Sequence, residues 1–282
     1  MGKCVFKFSK LSNSGLFASL LAALLVSACF ADRRSESSTQ ATKGSAAADT
    51  LRYELKQFKA FSPYLTGTES SVDSTLFTAS YPVFTPEIDS MVLEAIFIDG
   101  EQTVEQVSES FLGGFNEYAE EQIDAGNEAF HAWFKHQDSK VVLNEPGVLT
   151  LRTAINDYTG GAHGMEIELW FSFDVAQKKR LALTDFVSDT TQLLKVAERH
   201  FKKLENLADT AAYGSSYFFA NDSFVLPANF GLTKEGLLFH YNPYEIKSYA
   251  EGGTTLVIPY SDIVELLTEE GRRLYNELST KI

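Results

Sequence analysis

His163 sits in the run Tyr158-Thr159-Gly160-Gly161-Ala162-His163-Gly164, with Asp157, Glu166 and Glu168 close by in sequence. An imidazole beside carboxylates is the raw material of general acid–base or metal chemistry. The spacing argues against both. His163 and Glu166 are three apart near a strand, which turns their side chains to opposite faces. The other histidines (His131, His136, His200, His240) show no ligand spacing, and the chain has no H-E-x-x-H, G-x-S-x-G, Walker loop or G-x-G-x-x-G. The structural reading is that the glycines admit backbone angles closed to other residues while His163 hydrogen-bonds to fix a turn. Tyr158, Gly160, Gly161 and His163 are therefore candidate binding residues. Tyr241-Asn242-Pro243-Tyr244-Glu245-Ile246 supplies a second group, with Tyr241, Tyr244 and Glu245 suited to binding or to packing a loop over a sheet. The cluster Tyr213, Tyr217, Phe218, Phe219 carries the same two readings. No catalytic residue, metal or other cofactor is expected. The rival reading is a hydrolase with a non-standard site around His163, Asp157 and Glu245.

Cys29 is the other residue with chemistry attached. Lys3, Lys7 and Lys10 form a basic start, Leu16 to Val26 are almost wholly apolar, and Val26-Ser27-Ala28 precede the cysteine. The apolar run is too short to span a membrane and ends in a cleavage pattern. This order resembles a bacterial lipoprotein signal, which implies cleavage before Cys29 and diacylglyceryl transfer to its thiol. The alternative is an ordinary secretory signal with an incidental cysteine. Phe30 and Ala31 follow, with no Asp at the next position, which resembles an outer-membrane sorting signal facing the periplasm. Residues 30–50 are rich in Ser, Thr, Ala and Gln and lack the apolar surface to offset ordering entropy. They read as a tether, with a random-coil span of roughly 25 Å.

The formal charge is −14, and removing residues 1–28, with three lysines and no acid, takes it to −17. Nucleic acid is excluded as a partner, since phosphate binding needs clustered Lys and Arg. A cationic partner would be attracted, although a negative surface also serves solubility alone. The chain has two cysteines; Cys4 leaves with the signal and Cys29 is consumed by lipid, so the mature fold has no disulfide. Burial must hold it together, and the chain's 22 phenylalanines, of which only Phe6, Phe8 and Phe17 leave with the signal, make that feasible.

The elements that position these residues follow from periodicity. Leu51 to Phe58 alternates as a strand, and Leu76 to Phe84 is a second β run whose end Pro82 confines to an edge. Pro86 starts a helix with Ile88, Met91, Val92 and Ala95 inward. From Thr103 a long helix carries Val104, Val107, Phe111, Phe115, Tyr118 and Ile123, with Phe130 and Phe134 as extensions. Gly113-Gly114 and Gly126 predict a kink or break in it. Leu149–Asn156 and Met165–Asp174 alternate around the glycine-rich run and predict an antiparallel hairpin. Asp189 caps a helix with Leu193, Leu194, Ala197, Phe201 and Leu204 inward. Phe224–Leu226, Gly236–Tyr241 and Thr254–Ile258 read as strands, and Ser261 or Asp262 opens a final helix burying Ile263, Leu266 and Leu267. The fold class is α+β, with antiparallel sheets, helices packed on one face, and a two-part ectodomain split into 51–140 and 141–282.

An ordered set of motifs carries a family resemblance: Tyr158 to Gly164, Leu181-Ala182-Leu183-Thr184-Asp185-Phe186, the run from Phe230 to His240, Pro243 to Ile246, Tyr249-Ala250, and Val257 to Tyr260. Over roughly 145–270 it resembles the domain of unknown function shared by the anti-sigma factor RsiV and the peptidoglycan deacetylase PdaC, and 50–140 looks like its smaller companion. The resemblance implies a non-catalytic cell-envelope binding module, with lysozyme or another cationic envelope protein as ligand. A peptidoglycan-binding or envelope-structural role is the alternative. No membrane-spanning signalling segment and no deacetylase domain accompany it, so neither activity carries over.

Overall fold

The computed structural model describes residues 50–68, 71–127 and 130–279. The expected signal peptide, Cys29 and all of the tether but Thr50 lie outside the described residues. The order is β1 (Glu54–Thr68), β2 (Ser71–Val83), α1 (Pro86–Ile96), α2 (Val104–Asp124), β3 (Phe134–Glu145), β4 (Val148–Tyr158), β5 (Met165–Asp174), β6 (Lys179–Arg180) and α3 (Leu183–Phe186). Then follow α4 (Thr190–Leu204), β7 (Phe230–Leu232), β8 (Leu237–Tyr241), β9 (Thr254–Ile258) and α5 (Glu269–Ser279), with short 3-10 turns between. The α+β class is as expected. Strands β1 to β6 form one sheet in sequence order and β7-β8-β9 a second. Every pairing is antiparallel except β2–β3, which is parallel. Residue 140, the expected boundary between the two parts, lies within β3.

Local chemistry sets the helix ends. Pro86 opens α1, and Asp89 Oδ1 accepts from the Phe84 amide at 2.7 Å. Thr103 Oγ1 accepts from Gln106 N and caps α2, and Asp189 Oδ1 does the same for α4 from Gln192 N. Helix α2 continues straight through Gly113-Gly114, contrary to expectation. Leu112, Phe115 and Ala119 bury one face around that pair, and packing outweighs a propensity cost of about 1 kcal/mol per glycine. The helix ends just before Gly126, which is left-handed at φ +76°. Phe130 packs on Phe115, whereas Phe134 starts β3 rather than extending the helix.

Three further expectations are corrected. Phe224–Leu226 is not a strand: Phe224 enters an aromatic core, and Val225 O is taken by the Tyr241 hydroxyl at 2.6 Å. The last helix starts at Glu269, because Thr268 Oγ1, not Ser261 or Asp262, accepts an α5 amide, that of Gly271, at 2.8 Å. Residues 260–266 are 3-10 turns instead. Leu204 of α4 is exposed rather than inward.

The β4–β5 hairpin forms as predicted, but it is not amphipathic along its whole length. One face, with Leu149, Leu151, Phe171 and Phe173, packs under α1 and α2. On the other, Thr150 and Ser172 share a buried hydrogen bond of 2.8 Å, and Ser172 Oγ accepts from the Leu232 amide of β7 at 2.8 Å. The second sheet sits there, with α4 behind it, sharing a core of Val148, Phe201, Phe239 and Ile258. Over β1 to β3 that same face is open. Across it the register lines up Phe61, Leu76, Phe134 and Tyr158, with Phe134 stacked on Tyr158 at 6.0 Å.

Gly231 lets the sheets meet: a Cβ there would lie 3.0 Å from Cε3 of Trp170 and 3.3 Å from Cγ2 of Thr150. Gly231→Val therefore overpacks the seam and is expected to cost about 1–3 kcal/mol in urea unfolding. A loss under a few tenths would contradict this packing.

Candidate functional site: the hairpin tip and the flank of β5

Gly160 and Gly161 adopt φ +102° and +93°, values that turn the chain after β4 and that other residues rarely reach. The Tyr158 hydroxyl donates to Gly161 O at 3.0 Å. His163 Nδ1 lies 2.7 Å from Gly164 O, a pure acceptor, so Nδ1 carries the proton and the ring fixes the turn as expected. Nε2 then accepts from the Tyr244 hydroxyl at 3.2 Å. The ring stacks on Tyr249 at 4.0 Å and 16°. Both nitrogens and one ring face are thus engaged. No hydrogen bond or ion pair among the described residues joins His163 to Asp157, Glu166, Glu168 or Glu245.

The tip therefore gathers Tyr158, Gly160, Gly161, His163 and Tyr244. Tyr244 is half exposed and holds φ +71°, an uncommon angle for a tyrosine. Tyr241 does not join them. It is buried at 2% exposure in the aromatic core, where burial pushes its phenol above the ordinary value. Tyr213, Tyr217 and Phe219 are buried there too, and only Phe218 is exposed. Tyr249 was missed as a site residue, because its partner, His163, lies far away in sequence.

Below the tip, Glu168 binds Arg152, accepts from Trp170 Nε1 at 2.7 Å, and lies 3.8 Å from His240 Nδ1. Burial raises its carboxyl, but the Arg152 hydrogen bond, His240 and Trp170 outweigh that and hold it below 4.5. His240, bonded to Thr255 Oγ1 at 2.8 Å, is pushed below 6.5 by burial, more than Glu168 and Glu245 raise it. The backbone of β5 is met by two side chains: Asn242 Oδ1 accepts from Glu168 N at 2.6 Å, and Asn229 Oδ1 from Trp170 N at 2.8 Å. Asn229 Nδ2 returns a bond to Glu168 O at 2.7 Å. Glu245, instead of joining His163, lines a groove on this flank. Among the described residues no group of three or more His, Cys, Asp or Glu could hold a metal ion, and no helix is long and apolar enough to cross a membrane.

Both shifted groups make the fold acid-labile. His240 stays neutral when folded, so protons favour the unfolded chain and stability falls as pH drops below 6.5 toward the depressed folded value. Glu168 stabilises above 4.5, and its contribution is lost as pH falls through its lowered folded value. Urea titrations from pH 8 to 3 should show both declines. His240→Gln should abolish the upper one and shrink the lower, since it also removes one of the groups that hold Glu168 low, and a wild-type profile flat between pH 7 and 5 would contradict the assignment.

Residues 182–261 match the family model described as "Protein of unknown function (DUF3298)", and residues 68–166 match "Deacetylase PdaC". No curated protein matches the chain. Among solved structures, a DUF3298-family member from Bacteroides fragilis aligns with a TM-score of 0.63 at 22% identity, covering 83% of this chain and 100% of its own. A DUF3298-family protein from Pseudomonas aeruginosa PAO1 aligns with a TM-score of 0.60 at 20% identity, covering 78% and 95%. His163 lies in the 68–166 segment and Tyr244 and Tyr249 in the 182–261 segment, so the tip joins the two, while Asn229 and Asn242 reach from the latter to Glu168 and Trp170, just beyond the former. The chain thus carries one segment similar to each family model, and it shares the fold of these two solved proteins.

Proposed function

We propose that this protein is a non-catalytic binding module of the cell envelope that captures a cationic protein, lysozyme being the first candidate. One observation carries the reading. Helix α2 presents Glu105, Glu109, Glu117, Glu120, Glu121 and Asp124, all exposed, and no Lys or Arg along its length. Such a one-signed face speeds encounter with a basic protein and orients it. The engagement of both His163 nitrogens supports a tip that contacts rather than catalyses. The resemblance to the RsiV domain supports lysozyme as the ligand class.

Residues 30–282 passed over immobilised lysozyme should be retained at low ionic strength and released as salt screens the attraction. Reversing Glu109, Glu117 and Glu121 to Lys should weaken retention at least tenfold. Absence of retention at low salt would remove this ligand. A second reading, peptidoglycan, draws on the open aromatic row of Phe61, Phe134 and Tyr158 with Tyr244 at the tip, since flat rings suit sugar faces. Co-sedimentation with purified sacculi, abolished in a Phe134→Ser, Tyr244→Ser double variant, would favour it.

The same proposal anchors the module by Cys29 to the outer membrane, facing the periplasm. Two acyl chains, at about 0.8 kcal/mol per buried CH₂, hold it firmly. Labelled fatty acid should enter the full-length protein, and Cys29→Ala should lose the label and the processed form. Label retained in Cys29→Ala would exclude this anchor.

A further inference from the structure

Strand β6 pairs with β5 only at Phe173 and Asp174. Beyond that point a groove of about 420 Å³ follows the flank of β5, lined by Leu169, Trp170 and Phe171 on one side and Pro227 and Ala228 on the other. That volume lies within the usual range for small-ligand sites. Asn229 and Asn242 also line it, but their amides already hold the Glu168 and Trp170 backbone. The flank is therefore closed to an added strand, and an occupant must be recognised by its side chains and charges.

Two charged groups of opposite sign complete the lining. The Arg180 guanidinium lies 4.5 Å from the centre of the Phe171 ring, and no carboxylate among the described residues pairs with it. The Glu245 side chain likewise has no hydrogen-bond or ion-pair partner among the described residues. Arg180 sits at the Phe171 end, while Glu245, whose backbone amide donates to Asn242 O at 3.1 Å, enters at the end where the Asn242 side chain holds Glu168. Three residues of strand separate those positions, about 10 Å. An extended tripeptide spans about the same distance between its termini.

We propose that this groove binds a short apolar peptide with both termini free, its carboxylate on Arg180, its ammonium on Glu245, and its side chains on Leu169, Trp170 and Phe171. A guanidinium already held 4.5 Å over a ring centre is restrained ahead of paired hydrogen bonds to a carboxylate. The need for both termini selects a free peptide over a segment of a longer protein. This site is separate from α2, so it stands or falls independently of lysozyme capture.

The test is calorimetry on the full-length chain in detergent with three probes: the tripeptide Ala-Leu-Ala, its N-acetyl form and its C-terminal amide. Saturable binding of the free peptide is expected, with each blocked form at least tenfold weaker. Arg180→Gln should weaken the free peptide at least tenfold yet leave the amide unchanged, and Glu245→Gln should do the same for the free and acetylated forms. Both residues are exposed, so neither change threatens folding, and the quenching of Trp170 fluorescence in a Trp133→Phe chain gives a second readout. No saturable binding at millimolar peptide, or binding that both substitutions leave intact, overturns the proposal.

Discussion

Strand β5 imposes the constraint that the rest of the molecule answers. One side pairs with β4 along its length, but β6 covers only two residues of the other. Unmet backbone groups so near a packed core cost roughly 1–3 kcal/mol each. Asn229 and Asn242 meet three of them, and Leu181 N meets a fourth at Ser172 O, 2.8 Å away. Since both asparagines belong to the segment that forms the second sheet, closing the β5 edge also fixes that sheet in place. The Thr150–Ser172–Leu232 relay repeats the logic on the buried face.

The surfaces proposed to bind follow from that arrangement. Docking the second sheet over β4 and β5 leaves the same face open over β1 to β3, where the aromatic row lies. It brings Tyr244 and Tyr249 up to His163, which makes the tip a joint between two sequence-distant segments. It also leaves the groove, because side-chain amides rather than a strand fill the flank. The acidic helix lies on the opposite side of the large sheet. The acidic helix can thus be altered without touching the row, the tip or the groove.

Sequence periodicity reveals what local physics decides. The β4–β5 hairpin, the Pro86 start, the long helix from Thr103 and the Asp189 cap were all legible, as was the turn-fixing role of His163. What depends on distant partners was not. Strand β3 gives little alternation because its parallel neighbour β2 and the bulge after Val141 set its burial. Gly113-Gly114 signal a break that the sheet packed under Leu112 and Phe115 overrides. Phe224–Leu226 has the composition of a strand but meets the Tyr241 hydroxyl instead of a strand. For the candidate site, an aromatic run such as 241–246 does not say which rings turn inward. Tyr241 does, as the buried last residue of β8, and Tyr244 does not, because it sits in the turn beyond the strand at φ +71°.

Amide hydrogen exchange of Glu168 and Trp170 tests the central claim most directly. If the asparagine clamp joins the two sheets into one cooperative unit, these amides exchange only on global unfolding, with the same free energy as Leu151 in the large sheet and Leu238 in the small one. Exchange through a cheaper opening, with the small sheet lost before the large, would contradict the account.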